Sequence, residues 1–253
     1  MIVCKSAAEI ERMRAPNELV ANVLAELSSL VAPGVTTADL DAAAERLVRA
    51  AGAEPAFKGY RGYPCTLCAS VNEQVVHGIP NRTALASGDI VSLDMGVKLN
   101  GYYGDSAVTV PVGTVDENVR KLLRVTREAL DKGIAQVKVG GRISDIGHAI
   151  QAHVEANGFS VVREFVGHGI GASLHEEPQI ANYGEPGRGP RLAEGMTLAI
   201  EPMVNMGKAA VRVLADGWTA VTRDGSLSAH FEHTVAVTKD GPLVLTLRPV
   251  AAL

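Results

Sequence analysis

Two carboxylates stand in the middle of two apolar strands. In "DIVSLDMGVKLNGYYGDSAVTVPV", Asp89 to Val112, runs rich in Val, Leu and Thr flank Asn100-Gly101. That pair suits a two-residue hairpin turn, because both turn positions must tolerate φ > 0. The turn pairs Leu99 with Tyr102, and counting back sets Asp105 opposite Gly96 and Asp94 opposite Ala107. Side chains alternate faces along a strand. Asp94 and Asp105 therefore share one face as diagonal neighbours, with Cα atoms about 7–8 Å apart. Two carboxylates sharing a site without a cation force one of them to protonate, and a cation between them removes the conflict. Further candidates follow: Glu201 in the apolar "TLAIEPMV", Glu232 in the alternating "SAHFEHTVAVT", and His168 and His175 among the glycines of "FVGHGIGASLHEEP". Four carboxylates and an imidazole are hard-to-borderline donors, suited to two divalent ions such as Mn, Fe, Co or Zn. Two ions roughly 3.5–4 Å apart share a water, lower its pKa and stabilise a tetrahedral oxyanion.

The elements that must position these groups repeat along the chain. "PGVTTADLDAAAERLVRAAG" (Pro33–Gly52) lies over "VGGRISDIGHAIQAHVEANG" (Val139–Gly158) at an offset of 106, which sets Gly34 on Gly140, Asp39 on Asp145 and Gly52 on Gly158. Both read as amphipathic helices with Asp or Thr/Ser near the start and glycine past the end. Each follows another helical stretch, Ala7–Leu30 and Asp116–Val137. "LASGDIVSLDMGV" (Leu85–Val97) then lies over "LAEGMTLAIEPMV" (Leu192–Val204) at an offset of 107, placing Asp94 on Glu201. "HGI" occurs once per half, at His77 and His168, with a different offset that implies unequal loops. The matching order points to duplication. The expected class is α+β: two αα-then-β halves, about residues 1–112 and 113–253, related by a pseudo-twofold axis. Their strands join in one sheet with helices on its outer face, and a site at the junction draws ligands from both halves.

Composition bounds the rest. A chain of 253 residues with 47% hydrophobic and 21% charged residues is an ordinary globular protein. A formal charge of −4 with pI near 6.0 argues against a general nucleic-acid or anionic-membrane binder. No apolar run reaches the ~18–20 residues that span a bilayer, and "MIVCKSAAEIERMRAP" turns charged too early for a secretory leader. Three cysteines suggest a reducing compartment without a disulfide framework. Cys65-Thr66-Leu67-Cys68 has zinc or redox spacing, but no second pair exists and Gly-Tyr-Pro precedes it. "HEEPQ" lacks the second histidine of a zincin, and "GDSA" lacks a nucleophile elbow. In "GHGIG", Pro178 and two glutamates follow where a phosphate-facing helix is needed.

The ordered set Asp94, Asp105, His168, Glu201 and Glu232, with "VVHGIP", "GHGIG", "HEEP", "IEPM" and "FEHTV", resembles the type I methionine aminopeptidases over nearly the whole chain. The resemblance implies the pita-bread fold and a dinuclear metal site that removes the initiator methionine from nascent polypeptides whose second residue is small. It implies Asp94 and Glu201 as ligands to one ion each or to both through their two oxygens, Asp105 and Glu232 as bridging ligands and His168 as the single nitrogen ligand. It further implies Glu201 as proton acceptor, His175 as oxyanion stabiliser and His77 as partner of the amide nitrogen after methionine. Tyr60, Tyr63, Cys68 and Trp218 fall at the positions of the methionine pocket, where thioether–aromatic contact is favourable. Leu174 stands where relatives often carry a larger aromatic, a difference that bears on how tightly the pocket grips. Asn72 and Ser228 match a monovalent-cation site of relatives.

The short segment between His175 and Glu201, with "PGRGP", favours type I over type II, whose members insert a helical subdomain there. Helix-like sequence begins within the first ten residues, so residues 1–253 are expected to form one free-standing catalytic domain. The expected setting is cytoplasmic and monomeric, acting on nascent N-termini at the ribosome, with neither nucleic acid nor membrane as a direct partner. Two alternatives are weighed. Prolidases and aminopeptidases P share the fold but usually carry an extra N-terminal domain. Inactive pita-bread binding modules lose metal ligands, whereas all five are present here.

Overall fold

Four helices and a set of antiparallel strands make up the computed structural model, which describes residues 1–247. Helix α1 (Ala7–Leu30) starts at Ser6, whose hydroxyl accepts from the Glu9 N–H while the Glu9 carboxylate accepts from the Ser6 N–H at 2.8 Å. Helix α2 (Thr37–Ala50) repeats this reciprocal cap with Thr36 and Asp39. Helix α3 (Glu117–Ile134) is capped by Asp116, and at the start of α4 (Ile143–Ala156) the Asp145 carboxylate accepts from the Arg142 N–H at 2.8 Å. These bonds satisfy N–H groups that a helix start otherwise leaves orphaned. The duplication shows in the backbone itself. Gly52 and Gly158, just past α2 and α4, have φ of 72° and 83°, the left-handed conformation that stops a helix without strain only in glycine.

The hairpin has the expected register. Asn100 and Gly101 both have positive φ (53° and 83°), and Ile90–Leu99 pairs with Tyr102–Pro111 so that Leu99 faces Tyr102, Gly96 faces Asp105 and Asp94 faces Ala107. On the far side of Ile90–Leu99 runs Cys68–Val71, which sets Cys68 opposite Asp94. In the other half, Thr197–Ile200 lies between Gly167–Gly169 and His233–Thr238. Three details differ from the sequence reading. Among the described residues the strands fall into four hydrogen-bonded sheets rather than one. Glu201 sits just past its strand, because Pro202 has no N–H to continue the ladder. Glu232 sits in a break between Ser228–His230 and His233–Thr238, held by a single bridge to Ala107.

That break is where the halves join. The Glu232 N–H donates to the Ala107 carbonyl at 3.0 Å and the Ser106 hydroxyl donates to the Glu232 carbonyl at 2.7 Å. Thr234 Oγ1 donates to the Asp105 carbonyl at 2.8 Å, and Thr109 Oγ1 donates to the His230 carbonyl at 2.8 Å. Leu93, Met95 and Val97, alternating with Asp94 and Gly96, pack in one apolar cluster with Leu24 and Leu27 of α1, Leu122 of α3 and Ile146 and Ile150 of α4. The helices thus cover one face of the strands, and each large aliphatic side chain buried there contributes about 1.5–3 kcal/mol. The other face is left to the polar residues. Gly104 lets α1 press against the hairpin beside Asp105: a Cβ there would lie 2.7 Å from the Pro16 backbone. Among the described residues no helix is long and apolar enough to cross a membrane.

Candidate active site

The uncovered face opens into a cavity of about 230 Å³. Asp94 and Asp105 project into it from the hairpin, His168 from Gly167–Gly169, Glu201 from the end of Thr197–Ile200, and Glu232 from the joint between the halves. One ligand-type atom each from Asp105, His168 and Glu232 lies within 4.8 Å of the others. His168 Nε2 is 3.7 Å from Glu201 Oε1 and 3.9 Å from Asp105 Oδ2. Asp105 and Glu232 are only 3% and 2% exposed, so these charges are withdrawn from water.

Their electrostatics follow from that crowding. Burial, then the Asp105 charge, pushes Asp94 well above the usual carboxylate range. Burial raises Asp105 to about 7 against an opposing hydrogen bond from the Ser106 backbone. Glu201 is raised by burial and then by both aspartates, and Glu232 by burial and then by Asp105, Glu201 and Asp94. Asp105 Oδ1 and Glu232 Oε1 are buried without a hydrogen-bond partner. Buried acceptors are ordinarily satisfied, and four mutually repelling carboxylates around orphaned oxygens fit a bound cation. The donor set is the one divalent first-row ions accept. His168 suits it as well: its Nδ1 lies 2.9 Å from the Gly169 carbonyl, which sets the proton there and leaves the Nε2 lone pair facing the carboxylates.

His175 stands at the cavity mouth, its ring centroid 4.3 Å from that of His168. Its Nδ1 is 2.9 Å from Tyr60 Oη, over which it stacks with centroids 5.2 Å apart. With Tyr60 donating to Nδ1, the proton of neutral His175 sits on Nε2. The two neighbouring imidazoles then have opposite tautomers, one with its Nε2 lone pair toward the carboxylates and one with its Nε2–H able to donate. Desolvation and then the Arg61 guanidinium hold His175 below the usual histidine range. His77 leaves the Gln74–Val76 strand with φ of 60°, and burial then His175 lower it to about 4. Its ring lies edge-on to Phe165 and Trp218, with centroids at 5.4 and 6.2 Å.

Tyr60, Tyr63, Cys68, Leu174 and Trp218 all line the same cavity. Tyr63 is held by hydroxyl contacts of 3.0 Å to the Leu67 and Gly78 carbonyls and meets Trp218 edge-on with centroids 5.1 Å apart. Burial and then Asp94 push the Cys68 thiol well up, so it stays a neutral, soft wall. Asn72 and Ser228 lie together, the Ser228 N–H donating to the Asn72 carbonyl at 2.9 Å. Sequence reasoning passed over Phe57, Arg61, Phe165 and Val166 in the lining, and His230 beneath it. His230 is 1% exposed with Nε2 3.6 Å from Glu201 Oε2, and burial and then His77 lower it to about 3. Its one sequence signal is position: two residues before Glu232, on the same face.

Comparison with known proteins gives the family. Residues 11–239 match the profile of metallopeptidase family M24. The methionine aminopeptidase 1 of Bacillus subtilis is 54% identical over 97% of this chain and 99% of its own. The crystal structure of methionine aminopeptidase from Rickettsia prowazekii superposes with a TM-score of 0.96 at 44% identity, covering 98% of this chain and 100% of that one. A prolidase from Pyrococcus furiosus shares the fold at a TM-score of 0.79 and 23% identity, with 98% of this chain matching 66% of that one. The architecture is therefore the pita-bread fold, built from two pseudo-twofold-related halves, and divalent metal use goes with it. This chain belongs to metallopeptidase family M24 and, within it, to the methionine aminopeptidases.

Proposed function

We propose that residues 1–253 form one catalytic domain that removes the initiator methionine from nascent polypeptides with a small second residue, using Asp94, Asp105, His168, Glu201 and Glu232 to hold two divalent ions. The single observation that carries this is the convergence of all five side chains, from both halves, at the base of a cavity whose remaining wall includes Tyr60, Tyr63, Cys68 and Trp218. Charge balance supports two ions: four carboxylates match two divalent cations. Cobalt, manganese, iron and zinc all suit the donors. Divalent ions held there supply Lewis acidity, lowering the pKa of a water and offsetting charge on the scissile carbonyl oxygen.

The chain's own groups do the rest. Glu201 accepts the proton of the attacking water on a carboxylate oxygen. His175 donates from Nε2 to the carbonyl oxygen as it becomes an oxyanion, with Tyr60 holding its other nitrogen. His77, lowered to about 4, is neutral near pH 7, so it serves as a hydrogen-bond partner that orients the departing amide nitrogen. The proton on Glu201 then passes to that nitrogen as the C–N bond breaks, giving methionine and a shortened chain. Cys68 and the aromatic rings receive the thioether, and Leu174 leaves more room than an aromatic would. Asn72 and Ser228 are read as a monovalent-cation site. Three free cysteines and a charge of −4 fit a cytoplasmic monomer that meets its substrates near the ribosome, without nucleic acid or membrane.

The test compares methionine release from Met-Ala-Ser with hydrolysis of an Xaa-Pro dipeptide, before and after chelation and restoration with Mn or Co. Metal-dependent release from Met-Ala-Ser is expected. Preference for Xaa-Pro, or peptidase activity that survives complete chelation, overturns the reading.

A further inference from the structure

The segment before α1 carries a buried charge that the chemistry above does not use. Lys5 is the one lysine or arginine in the buried set among the described residues, at 6% exposure. Its Nζ lies 2.5 Å from Glu176 Oε2 and 3.2 Å from the Val3 carbonyl. The backbone around it is pinned: the Lys5 N–H donates to the Gly195 carbonyl at 2.7 Å, and a Cβ on Gly195 would lie 2.3 Å from the Lys5 carbonyl oxygen. The side chain then crosses the loop that joins the two histidines, where a Cβ on Gly171 would come within 2.4 Å of Lys5 Cε. Glu176 Oε1 accepts from the Ser173 N–H at 3.1 Å, and the Tyr103 N–H donates to the Gly171 carbonyl at 2.8 Å. The loop from Ile170 to His175 is thus held from the N-terminal segment, from the hairpin and from Glu176, the residue next to His175.

We propose that Lys5 is a positioning residue for His175: its buried ion pair with Glu176 fixes the loop so that the His175 imidazole stays aimed at the carboxylate cluster. The proposal rests on the reading of His175 as donor to the developing oxyanion. Stability alone is a poor reason for this pair, since a buried ion pair adds little over apolar residues of the same volume. What it supplies is direction. One ammonium ties the N-terminal segment, at the Val3 carbonyl, to the turn that the Glu176 carboxylate anchors at Ser173, and small displacements of a catalytic group are costly to rate.

The test is a double-mutant cycle of K5M and H175A, read by kcat, KM and divalent-ion affinity, with histidine side-chain NMR of the 13C-labelled metal-free chain. K5M should lower kcat about tenfold or more, with KM and ion affinity held within about twofold, and have no further effect on kcat once His175 is alanine. The His175 signal should move in K5M while the His77 signal stays. An equal kcat loss in both backgrounds, or an unmoved His175 signal, overturns the proposal. If K5M alone fails to fold, K5M/E176Q leaves no uncompensated buried charge and should show the same kcat loss and the same His175 shift; a wild-type rate there also overturns it. A wild-type protein without methionine aminopeptidase activity refutes the proposed function instead, and the NMR arm still decides the role of Lys5.

Discussion

Replacing Asp105 by asparagine should change the chain in opposite directions with and without divalent ions. Asp105 is 3% exposed, and burial raises its folded-state pKa to about 7 from the ordinary 3.8. A raised carboxylate pKa means that the metal-free folded state holds this proton more tightly than the unfolded state. The penalty is absent below about pH 4, grows as pH rises through the interval and is complete above about pH 7. About three units at 1.36 kcal/mol each give roughly 4 kcal/mol as an upper value. Asparagine removes the charge but keeps a polar group at a site where Oδ1 already lacks a partner, which returns about 1–3 kcal/mol. D105N should therefore stabilise the metal-free chain by about 1–3 kcal/mol at pH 8, or about 2–12 °C in melting temperature, with the gain lost as pH falls and replaced near pH 4 by the asparagine's cost of about 1–3 kcal/mol. With saturating Mn or Co the order reverses: wild type gains stability from the ions, D105N gains much less, and its turnover is nearly lost. Calorimetric melting of both proteins at pH 4 and 8, with chelator and with metal, reads the stabilities, and methionine release from Met-Ala-Ser with metal reads the turnover. D105N that is less stable than wild type at pH 8 in chelator, or one that keeps metal-dependent turnover, refutes the reasoning.

Three other variants probe separate parts of the site. H175A should keep divalent-ion affinity by titration calorimetry and KM near wild type while kcat falls about 10²–10³-fold, the usual loss for one oxyanion donor; Y60F should give a smaller kcat loss of the same kind, because the tautomer of His175 is then no longer held. G167A should unfold or be strongly destabilised in thermal melts, by about 3 kcal/mol or more, since its Cβ would lie 2.3 Å from the Ala199 carbonyl oxygen in the strand that ends just before Glu201.

The parts of the site that were legible in the sequence are those fixed by local geometry. Asn100-Gly101 sets a turn, the turn sets a register, and a period of two puts Asp94 and Asp105 on one face. Equivalent glycines, Gly52 and Gly158, stop equivalent helices for the same dihedral reason. The pocket residues Tyr60, Tyr63, Cys68 and Trp218 were reached through family resemblance, since nothing local brings residue 218 beside residue 63. Phe57 and Phe165 sit in segments whose placement depends on tertiary packing. His230 reads as one more core histidine, and only the fold brings its Nε2 within 3.6 Å of Glu201 Oε2.

That break explains why the site has to straddle the duplication. An uninterrupted strand from Ser228 to Thr238 would commit the Glu232 backbone to a full ladder. Instead, one bridge to Ala107 and the Ser106 hydroxyl anchor it beside Asp105. Glu232 and Asp105 are thereby held across the joint by bonds that neither half can make alone, with Thr234 also reaching the Asp105 carbonyl. Each half contributes carboxylates that repel on burial, so the same contact that joins the halves also concentrates the charge that bound divalent metal must neutralise. Weakening the joint should then cost ion affinity before it costs helix packing. T234A removes one cross-joint hydroxyl bond, worth about 1 kcal/mol, without touching any carboxylate. A T234A chain whose ion affinity is unchanged while its helices loosen would show that the joint and the site are independent.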